Sequence, residues 1–183
     1  YINNSTDFFP YKRDEKTLAR KWAIPGSKGL EHRIGGLEKS EGTGDVSYDP
    51  ENHHNMTRKR QEKVDIIANF IPDAKVYGEE KGNLLVLGWG GTYGSIRSAV
   101  TKAQLEGLSV SQLHLQYINP FPKNLGEILL KYNKILIPEI NMGQLLIIIR
   151  SKYLVAAEGY NRIKGKPFTS SEILIQIKKH LED

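Results

Sequence analysis

The sequence contains no cysteine, and this absence excludes several kinds of protein at once. Without thiols the chain cannot form disulfides, use a thiolate nucleophile or hold a cysteine-ligated iron–sulfur cluster. Long apolar stretches are also missing, since the longest run, Leu145 to Ile149, falls far short of the roughly 20 residues of a membrane helix. No N-terminal segment combines basic residues, an apolar stretch and a small-residue cleavage site. These absences predict a soluble, cytoplasmic protein that does not enter a membrane.

Length and charge set the next limits. The 183 residues suit one domain with an extension, and a chain that begins at Tyr1 rather than Met is expected to be a fragment or a processed product. The net charge is +5, and the densest basic run is Arg58 to Lys63, which includes Glu62. We interpret this run as a solvated helix face, with an acidic protein partner as the alternative. No binding motif or interleaving of basic and aromatic residues indicates nucleic acid.

Residues 1–54 differ in composition from the rest of the chain. They are rich in glycine, contain few aliphatic residues and show no sustained helical or strand periodicity. Aromatic residues such as Phe8 and Trp22 nevertheless argue against simple disorder. We interpret residues 1–54 as an extended, glycine-rich arm that links from a preceding domain and packs on another surface. Residues 55–183 are then the folded domain.

From Asn55 onward, helical and strand patterns alternate with short connections. The predicted elements are a helix from Asn55 to Ile71, strands at 75–77 and 84–87, a helix ending near the C-cap glycine Gly107, a half-exposed strand at 110–117, a helix from Pro122 whose buried face runs to Tyr132, a strand at 134–138, a buried helix at 144–150, a strand at 153–157, and a last helix behind the capping box Thr169 to Glu172. This alternation predicts an α/β fold, in which helices cover both faces of a mainly parallel sheet.

A glycine-rich turn at residues 88–94 follows one of the predicted buried strands. Such a turn between a strand and a helix can bind phosphate. The dinucleotide-binding fingerprint is incomplete, however, because Tyr93 stands where the third glycine is needed and Gly94 comes one residue late. A structural tight turn is the first interpretation. A phosphate site at Gly90, Gly91 and Thr92 is the alternative.

Glu139, Asn141 and Gln144 form a second candidate site at the end of the 134–138 strand. Parallel strands place their following turns at one edge of a sheet, so we expect this group to lie near the glycine-rich turn. A carboxylate beside a helix N-terminus is stabilised by exposed amide N–H groups. We therefore predict a structural role, in which Glu139 accepts hydrogen bonds from the backbone of residues 141–144. A ligand or partner site is the alternative.

Other patterns associated with chemistry are weak or missing. His53 and His54 lie close in sequence to Asp45, Asp49 and Glu51, but their spacing matches no helix-borne or zinc-finger pattern, so we interpret them as polar loop residues rather than metal ligands. Neither a Gly-x-Ser-x-Gly elbow nor a His-Glu-x-x-His motif is present. The sequence therefore predicts no catalytic residue and no metal site.

Six short strings, taken in order, resemble one family of enzymes. They are His32 to Lys39, Met56 to Arg60, Leu87 to Thr92, Tyr117 to Pro122, Glu139 to Leu145, and Gly165 to Phe168. Each string alone is moderately specific, whereas their order and spacing together carry the resemblance. From about residue 20 to its end, the chain resembles the C-terminal part of the alpha subunit of 2-oxoglutarate and other 2-oxoacid:ferredoxin (acceptor) oxidoreductases.

The resemblance implies a transketolase C-terminal-like fold, with three layers (αβα) and a five-stranded mixed sheet that includes one antiparallel strand. It also implies an enzyme that decarboxylates a 2-oxoacid on thiamine diphosphate, passes electrons through iron–sulfur clusters to ferredoxin and transfers the acyl group to coenzyme A. The implied partners are the beta subunit and the other domains of the oxidoreductase. The diphosphate and magnesium motif, Gly-Asp-Gly followed by Asn, is absent here. Thiamine diphosphate, magnesium and the cluster are therefore expected in other domains or subunits, and the chain alone is predicted to be inactive.

Three functional hypotheses remain open at this point. The first is a non-catalytic assembly domain of a 2-oxoglutarate:ferredoxin oxidoreductase alpha subunit, for which we expect the isolated chain to self-associate through uncovered apolar surface. The second is a free-standing module that binds a nucleotide or phosphate near Gly90 and Glu139. The third is a platform on which the basic helix, Arg58 to Lys63, binds an acidic ferredoxin.

Overall fold

The computed structural model describes residues 1–2 and 7–182. The chain divides into two compact units, residues 1–70 and 71–183. Helix α1 (Pro50–Ile66) thus groups with the residues before it, whereas the boundary expected after residue 54 divides that helix; the boundary stays a prediction about domains. Within the described ranges, no helix combines the length and the apolar character that crossing a bilayer requires.

The described residues that precede α1 are held by isolated β-bridges rather than by strands. Antiparallel bridges join Tyr11 to Gly42 and Lys39 to Val46, with turns between them. Lys39 is 2% exposed, and its ammonium group donates to the backbone carbonyls of Gly35 (2.6 Å) and Leu37. A buried cation needs such acceptors because it has lost its hydration shell. This one residue therefore orders the turn that surrounds it.

Helix α1 begins at Pro50, earlier than the predicted start at Asn55. The side chain of Asp49 accepts a hydrogen bond from the backbone N–H of Glu51 (3.0 Å), and proline is well suited to the first helical position. Among the described residues of α1, Met56 alone is buried. Of the apolar stripe predicted toward Ile71, Val64 and Ala68 are half-buried and Ile67 is 44% exposed, so this unit covers the stripe only in part.

The second unit contains a short and regular series of helices and strands. In chain order they are β1 (Val76–Tyr77), β2 (Gly82–Trp89), α2 (Tyr93–Leu105), β3 (Val110–Leu115), α3 (Leu125–Leu129), β4 (Tyr132–Glu139), α4 (Gln144–Tyr153), β5 (Ala157–Asn161) and α5 (Ser170–Glu182). The sheet order is β1-β3-β2-β4-β5, in which β1 is antiparallel to β3 and all other neighbours are parallel. The predicted five-stranded mixed sheet is confirmed.

Two cores lie on opposite faces of this sheet. Successive side chains of a strand point to opposite faces, so Leu85 and Leu87 of β2 join one core while Leu84 and Val86 join the other. Helices α3 and α4 cover the first core, and α2 and α5 cover the second. The sheet therefore has a helical layer on each side, which confirms the predicted three-layer α/β fold.

Strand β3 corrects the prediction of a half-exposed strand at 110–117. It ends at Leu115 and is buried almost throughout, with Ser111 and Gln112 only 2% and 1% exposed. The alternation of polar and apolar residues indicated one solvated face. Instead β3 lies between β1 and β2, and polar side chains of β3 are buried beneath α2.

Three further predictions in the second half were wrong. Helix α3 is one short turn, and Tyr132 belongs to the next strand rather than to its buried face. Helix α4 is not buried all round, because Ile147 and Ile148 are 66% and 46% exposed. The strand expected at 153–157 begins instead at Ala157, since α4 continues to Tyr153 and ends at Leu154 in a left-handed conformation (φ 53°).

Two end signals were confirmed. Gly107, with φ 83°, follows the C-terminus of α2, as its position in the sequence predicts. At the start of α5, the backbone N–H of Thr169 donates to the Glu172 carboxylate (2.8 Å), and the backbone N–H of Glu172 donates to the Thr169 hydroxyl (3.3 Å). This reciprocal pair is the predicted capping box.

Candidate functional site

The carboxyl ends of β2 and β4 lie side by side at the centre of the sheet. The connection after β2 leads to β3 on one side, and the connection after β4 leads to β5 on the other. A crevice at such a reversal of direction is where open α/β sheets commonly bind ligands. Trp89 ends β2 and Glu139 ends β4, so these two side chains decide what the crevice can hold.

Glu139 is fully buried, with 0% exposure. Its Oε1 accepts hydrogen bonds from the Trp89 indole (3.2 Å), the Asn141 side-chain amide (3.1 Å) and the backbone N–H of Leu145 (3.0 Å). Its Oε2 accepts from the backbone N–H of Leu146 (3.0 Å). The carboxylate thus closes the crevice and binds the first turn of α4, where the helix dipole favours a negative charge.

The turn between Glu139 and α4 is held by Asn141. Its side-chain oxygen accepts from the backbone N–H groups of Gly143 (2.7 Å) and Gln144 (3.3 Å), while its amide donates to Glu139. Gly143 has φ 91°, and a Cβ there would lie 2.8 Å from the Asn161 side chain. A glycine is therefore needed at this position for both its conformation and its size.

The other side of the crevice is the turn after β2. The Thr92 hydroxyl donates to the backbone carbonyl of Trp89 (2.8 Å) and accepts from its N–H (3.3 Å), so the turn is bonded to itself. Gly90 and Gly91 are exposed, and no atom would lie within 4 Å of a Cβ at either position. These glycines border open space rather than a preformed cradle.

The structure brings together some of the predicted site residues and separates others. Glu139 and Asn141 are in direct contact, Thr92 is linked to them through Trp89, and Gly90, Gly91 and Gln144 are exposed. The backbone donors to Glu139 are Leu145 and Leu146, the two residues that directly follow the predicted donors at 141–144. The arrangement supports the structural interpretation of Glu139. Whether the exposed glycines bind a ligand stays a prediction.

Sequence reasoning missed Trp89 as a partner of Glu139. The register of β2 and β4 pairs Leu85 with Ile135 and Val86 with Leu136. Continued to the ends of the strands, this register places Trp89 beside Glu139. β2 and β4 have eight residues each in the structure, but the pairing of their ends can be used only after the register is known.

A cleft of about 610 Å³ lies at the carboxyl end of β3 and was also missed. Its lining includes Lys75, Arg97, Gln112 and His114. Burial, and secondarily the charge of Arg97, lower the pKa of His114 below its usual value of 6.5. Gln112 and His114 belong to the strand that sequence analysis assigned a solvated face, so their polarity was interpreted as exposure.

In the first unit, basic residues of α1 are paired with acidic residues of the same unit. Lys59 contacts Glu41, and Arg60 lies 3.1 Å from Glu38. These pairs support a solvated helix face with local ion pairs. His53 lies 2.7 Å from the Glu38 carboxylate. In residues 1–2 and 7–182, no three His, Cys, Asp or Glu side chains converge to hold a metal ion.

Comparison with known proteins identifies the class of enzyme that this chain resembles. Residues 83–173 match the family model of pyruvate:ferredoxin oxidoreductase core domain II. Individual relatives narrow this class to the 2-oxoacid oxidoreductases. The chain is 50% identical over 168 residues to the 2-oxoglutarate oxidoreductase subunit KorA of Mycobacterium tuberculosis, and 30% identical over 94 residues to the alpha subunit of 2-oxoacid:ferredoxin oxidoreductase 1 of Aeropyrum pernix. The resemblance found in the sequence is confirmed.

A solved structure agrees with these relatives. The 2-oxoglutarate:ferredoxin oxidoreductase from Magnetococcus marinus, with 2-oxoglutarate, coenzyme A and succinyl-CoA bound, matches 98% of this chain with a TM-score of 0.88 and 28% identity. The match to the M. tuberculosis subunit covers 91% of this chain and 25% of that protein, and the match to the A. pernix subunit covers 49% and 15%. This chain also corresponds to 32% of the Magnetococcus chain. The chain therefore spans a quarter of the M. tuberculosis subunit and about a third of the Magnetococcus chain.

Proposed function

We propose that this chain is part of the alpha subunit of a 2-oxoacid:ferredoxin oxidoreductase, and that the 2-oxoacid is 2-oxoglutarate. The observation that carries the proposal is the 50% identity to the M. tuberculosis 2-oxoglutarate oxidoreductase subunit over 91% of this chain. The Magnetococcus structure supports the same substrate, since it has 2-oxoglutarate and succinyl-CoA bound and shares the fold across almost the whole chain. Within that enzyme the chain oxidises nothing itself and serves assembly.

The residues of this chain do not fit the cofactors of such an enzyme. A cysteine-ligated cluster has no ligand here, because the chain contains no cysteine. Glu139, the buried carboxylate of the central crevice, is enclosed by four hydrogen-bond donors and has no open side for magnesium or a diphosphate. Thiamine diphosphate, magnesium and the iron–sulfur cluster therefore belong, in this proposal, to other domains or subunits.

An assembly role is supported by the uncovered apolar residues near α4. Met142, Ile147 and Leu154 are 75%, 66% and 88% exposed, although they stand in or beside one short helix. Exposed apolar side chains that cluster in this way mark contact surfaces more often than scattered ones do. We propose that the beta subunit or another domain of the oxidoreductase covers them in the cytoplasm, and that the isolated chain self-associates through them. Ferredoxin as a direct partner stays a prediction.

The substrate is tested on the complete oxidoreductase, produced with its beta subunit. We expect reduction of ferredoxin that requires both 2-oxoglutarate and coenzyme A, and that is slower with pyruvate at equal concentration. An active complex that prefers pyruvate would contradict the proposed substrate. An active complex that reduces ferredoxin without any 2-oxoacid would contradict the proposed reaction class.

The assembly role is tested with Ile147→Lys in the same complex. Met142, Ile147 and Leu154 are called the α4 surface below. A charge on this surface should weaken the association of alpha and beta subunits in sedimentation velocity experiments, and should lower self-association of the isolated 183-residue chain. Ile175→Lys is the matched control, because Ile175 is a similarly exposed isoleucine (63%) on α5. If Ile147→Lys and Ile175→Lys sediment as the wild type does in both preparations, the α4 surface is not an assembly surface.

A further inference from the structure

The cleft at the carboxyl end of β3 lies entirely within the second unit and is separate from the crevice closed by Glu139. Its volume of about 610 Å³ falls within the range of roughly 300–1,000 Å³ typical of small-molecule sites. Polar side chains of the sheet and of α2 line it, among them Gln112, His114 and Arg97. The cleft therefore combines the size of a ligand site with several polar side chains in a lining that is otherwise apolar.

Gln112 is the most deeply buried of these side chains, at 1% exposure. Its amide nitrogen donates to the backbone carbonyl of Tyr93 (3.4 Å), and its Oε1 has no donor. The opposite orientation of the amide would place two oxygens against each other, so this contact fixes which end carries the free acceptor. Gln112 is thus held with its oxygen unpaired.

Arg97 and His114 repeat this pattern beside Gln112. The guanidinium of Arg97 lies over the Tyr77 ring, 3.4 Å from its centroid, and its Nε has no acceptor. The His114 ring packs edge-on against Tyr93, with 5.0 Å between centroids, and its Nδ1 has no partner. Stacking occupies a face of the guanidinium, and the Tyr77 hydroxyl lies within reach of its N–H groups, so the buried Nε is the N–H of Arg97 that has no acceptor.

These unpaired atoms are concentrated rather than scattered. Of the five buried side-chain atoms without a hydrogen-bond partner in the described residues, three belong to Arg97, Gln112 and His114. A buried polar atom without a partner destabilises the fold, and apolar side chains could occupy the same positions without that penalty. Packing of the sheet edge therefore does not explain why these three residues are polar.

The chemistry of the cleft defines its ligand. Arg97 and Lys75 provide positive charge, with Asp73 as a carboxylate in the same lining. His114 has a lowered pKa because of burial and Arg97, so its neutral ring can accept a hydrogen bond near neutral pH. Gln112 also offers an acceptor. A complementary molecule needs an anionic group for the cations and a donor for the acceptors.

We propose that this cleft binds a small hydroxylated anion, a carboxylate or phosphate that also carries an O–H group. The anionic group lies between Arg97 and Lys75, and the hydroxyl donates to Gln112. A hydroxy acid and a sugar phosphate share this chemistry. The site goes beyond the proposed oxidoreductase function and does not depend on it, since no residue of the cleft belongs to the crevice or to the α4 surface.

Calorimetric titration of the 183-residue chain tests the proposal with two pairs of probes. L-Malate is compared with succinate, which lacks the hydroxyl, and ribose 5-phosphate with ribose, which lacks the anion. We expect one hydroxylated anion to bind at one site per chain and its partner probe to bind about tenfold more weakly or not at all, because succinate lacks the hydrogen-bonding hydroxyl and ribose lacks the anionic group. Malate binding alone would identify a hydroxy acid as the source, and ribose 5-phosphate binding alone a sugar phosphate.

Variants separate this site from nonspecific binding. Arg97→Met keeps an unbranched apolar side chain on the Tyr77 ring and should abolish binding. Gln112→Leu should weaken binding about tenfold. The thermal midpoint of this variant should equal or exceed that of the wild type, which would show that the variant folds. Lys102→Met, on the exposed side of the same helix α2, is the control and should bind as the wild type does.

Three results would overturn the proposal. One is the absence of saturable binding by malate and by ribose 5-phosphate. The second is equal affinity for malate and succinate, together with equal affinity for ribose 5-phosphate and ribose. The third is unchanged affinity in both Arg97→Met and Gln112→Leu.

Discussion

Replacing Glu139 by alanine tests whether a carboxylate without a substrate or metal can be a main support of this fold. The side chain links β4, the end of β2 and the first turn of α4 through four hydrogen bonds of 3.0–3.2 Å. Alanine removes both acceptor oxygens, and with them all four hydrogen bonds, and leaves the rest of the backbone free to keep its path. The substitution therefore isolates what the buried carboxylate contributes.

The expected loss in the free energy of unfolding follows from the hydrogen-bond donors that lose their acceptor. The backbone N–H groups of Leu145 and Leu146 would be left unpaired, at roughly 1–3 kcal/mol each, and the helix-end charge would add about 0.3–1 kcal/mol. Relief from burying a charge, and a water molecule entering the space, offset part of this sum. We expect a net loss of about 3 kcal/mol, a large share of the roughly 5–15 kcal/mol of a typical protein.

Urea unfolding of the 183-residue chain measures the loss. Glu139→Gln keeps the shape and one acceptor oxygen, so it should lose less than Glu139→Ala. Glu158→Ala is the control, because Glu158 is an exposed carboxylate on neighbouring β5, 3.5 Å from His180, and such surface pairs contribute at most about 1 kcal/mol. A loss below about 0.5 kcal/mol for Glu139→Ala, the range of uninvolved surface changes, would refute the structural role.

Three further changes test neighbouring parts of the argument. Gly143→Ala should cost about 2 kcal/mol or more, because it combines the strain of positive φ with a contact of 2.8 Å to Asn161; Gly165→Ala, which has positive φ but open space, should cost less in the same urea measurement. Thr169→Ala should lower stability by about 0.5–2 kcal/mol through loss of the helix cap, and equal urea midpoints would contradict this. The lowered pKa of His114 means that the unfolded chain binds its proton more readily, so its contribution to stability is complete above the unfolded pKa near 6.5 and is lost as pH falls through the folded pKa. The free energy of unfolding of the wild type relative to His114→Gln should therefore fall on acidification. If this difference stays constant as the pH falls below 6.5, His114 does not make the contribution described.

The sheet was predictable because its signals are local. The apolar run Leu84 to Leu87 can be buried as one strand with both faces covered, and it forms the centre of β2. The capping box at Thr169 and the glycine at 107 mark helix ends through hydrogen bonds and backbone conformations that the neighbouring residues decide. Such elements depend little on the rest of the chain, so a single sequence is sufficient to place them.

The errors occur where the outcome depends on distant neighbours. From local sequence alone, residues 153–157 fit a strand as well as they fit the end of α4. The left-handed conformation of Leu154, which ends that helix, is rare for a residue of its type and could not be expected. Gln112 and His114 alternate with leucines as in a half-solvated strand, yet α2 covers that face and β1 pairs with the outer edge of the strand. Periodicity reports polarity along a strand, and it cannot distinguish water from the interior of a polar cleft.

The candidate site was predicted in position but not in its contacts. Parallel topology alone places Glu139 at the same edge as the turn after β2, and the structure has it there. Its main partners, Trp89 and the backbone of Leu145 and Leu146, depend on strand register and on where α4 begins. A one-residue change in register would move Trp89 to the opposite face of the sheet. Contacts of this kind therefore need the folded structure.

The error at α4 differs from the others because the sequence pattern itself was correctly described. Its residues are apolar nearly all round, which is typical of a helix covered on every side, yet this chain covers Leu145 and Ile149 and leaves Ile147 exposed. A soluble surface helix normally has polar residues on its outer face, and α4 has isoleucines there. The pattern thus matches a helix whose outer face is also covered. The proposed contact with the beta subunit or a neighbouring domain is therefore to be tested at the α4 surface rather than at the basic helix α1, whose Lys59 and Arg60 are paired with Glu41 and Glu38 of the same unit.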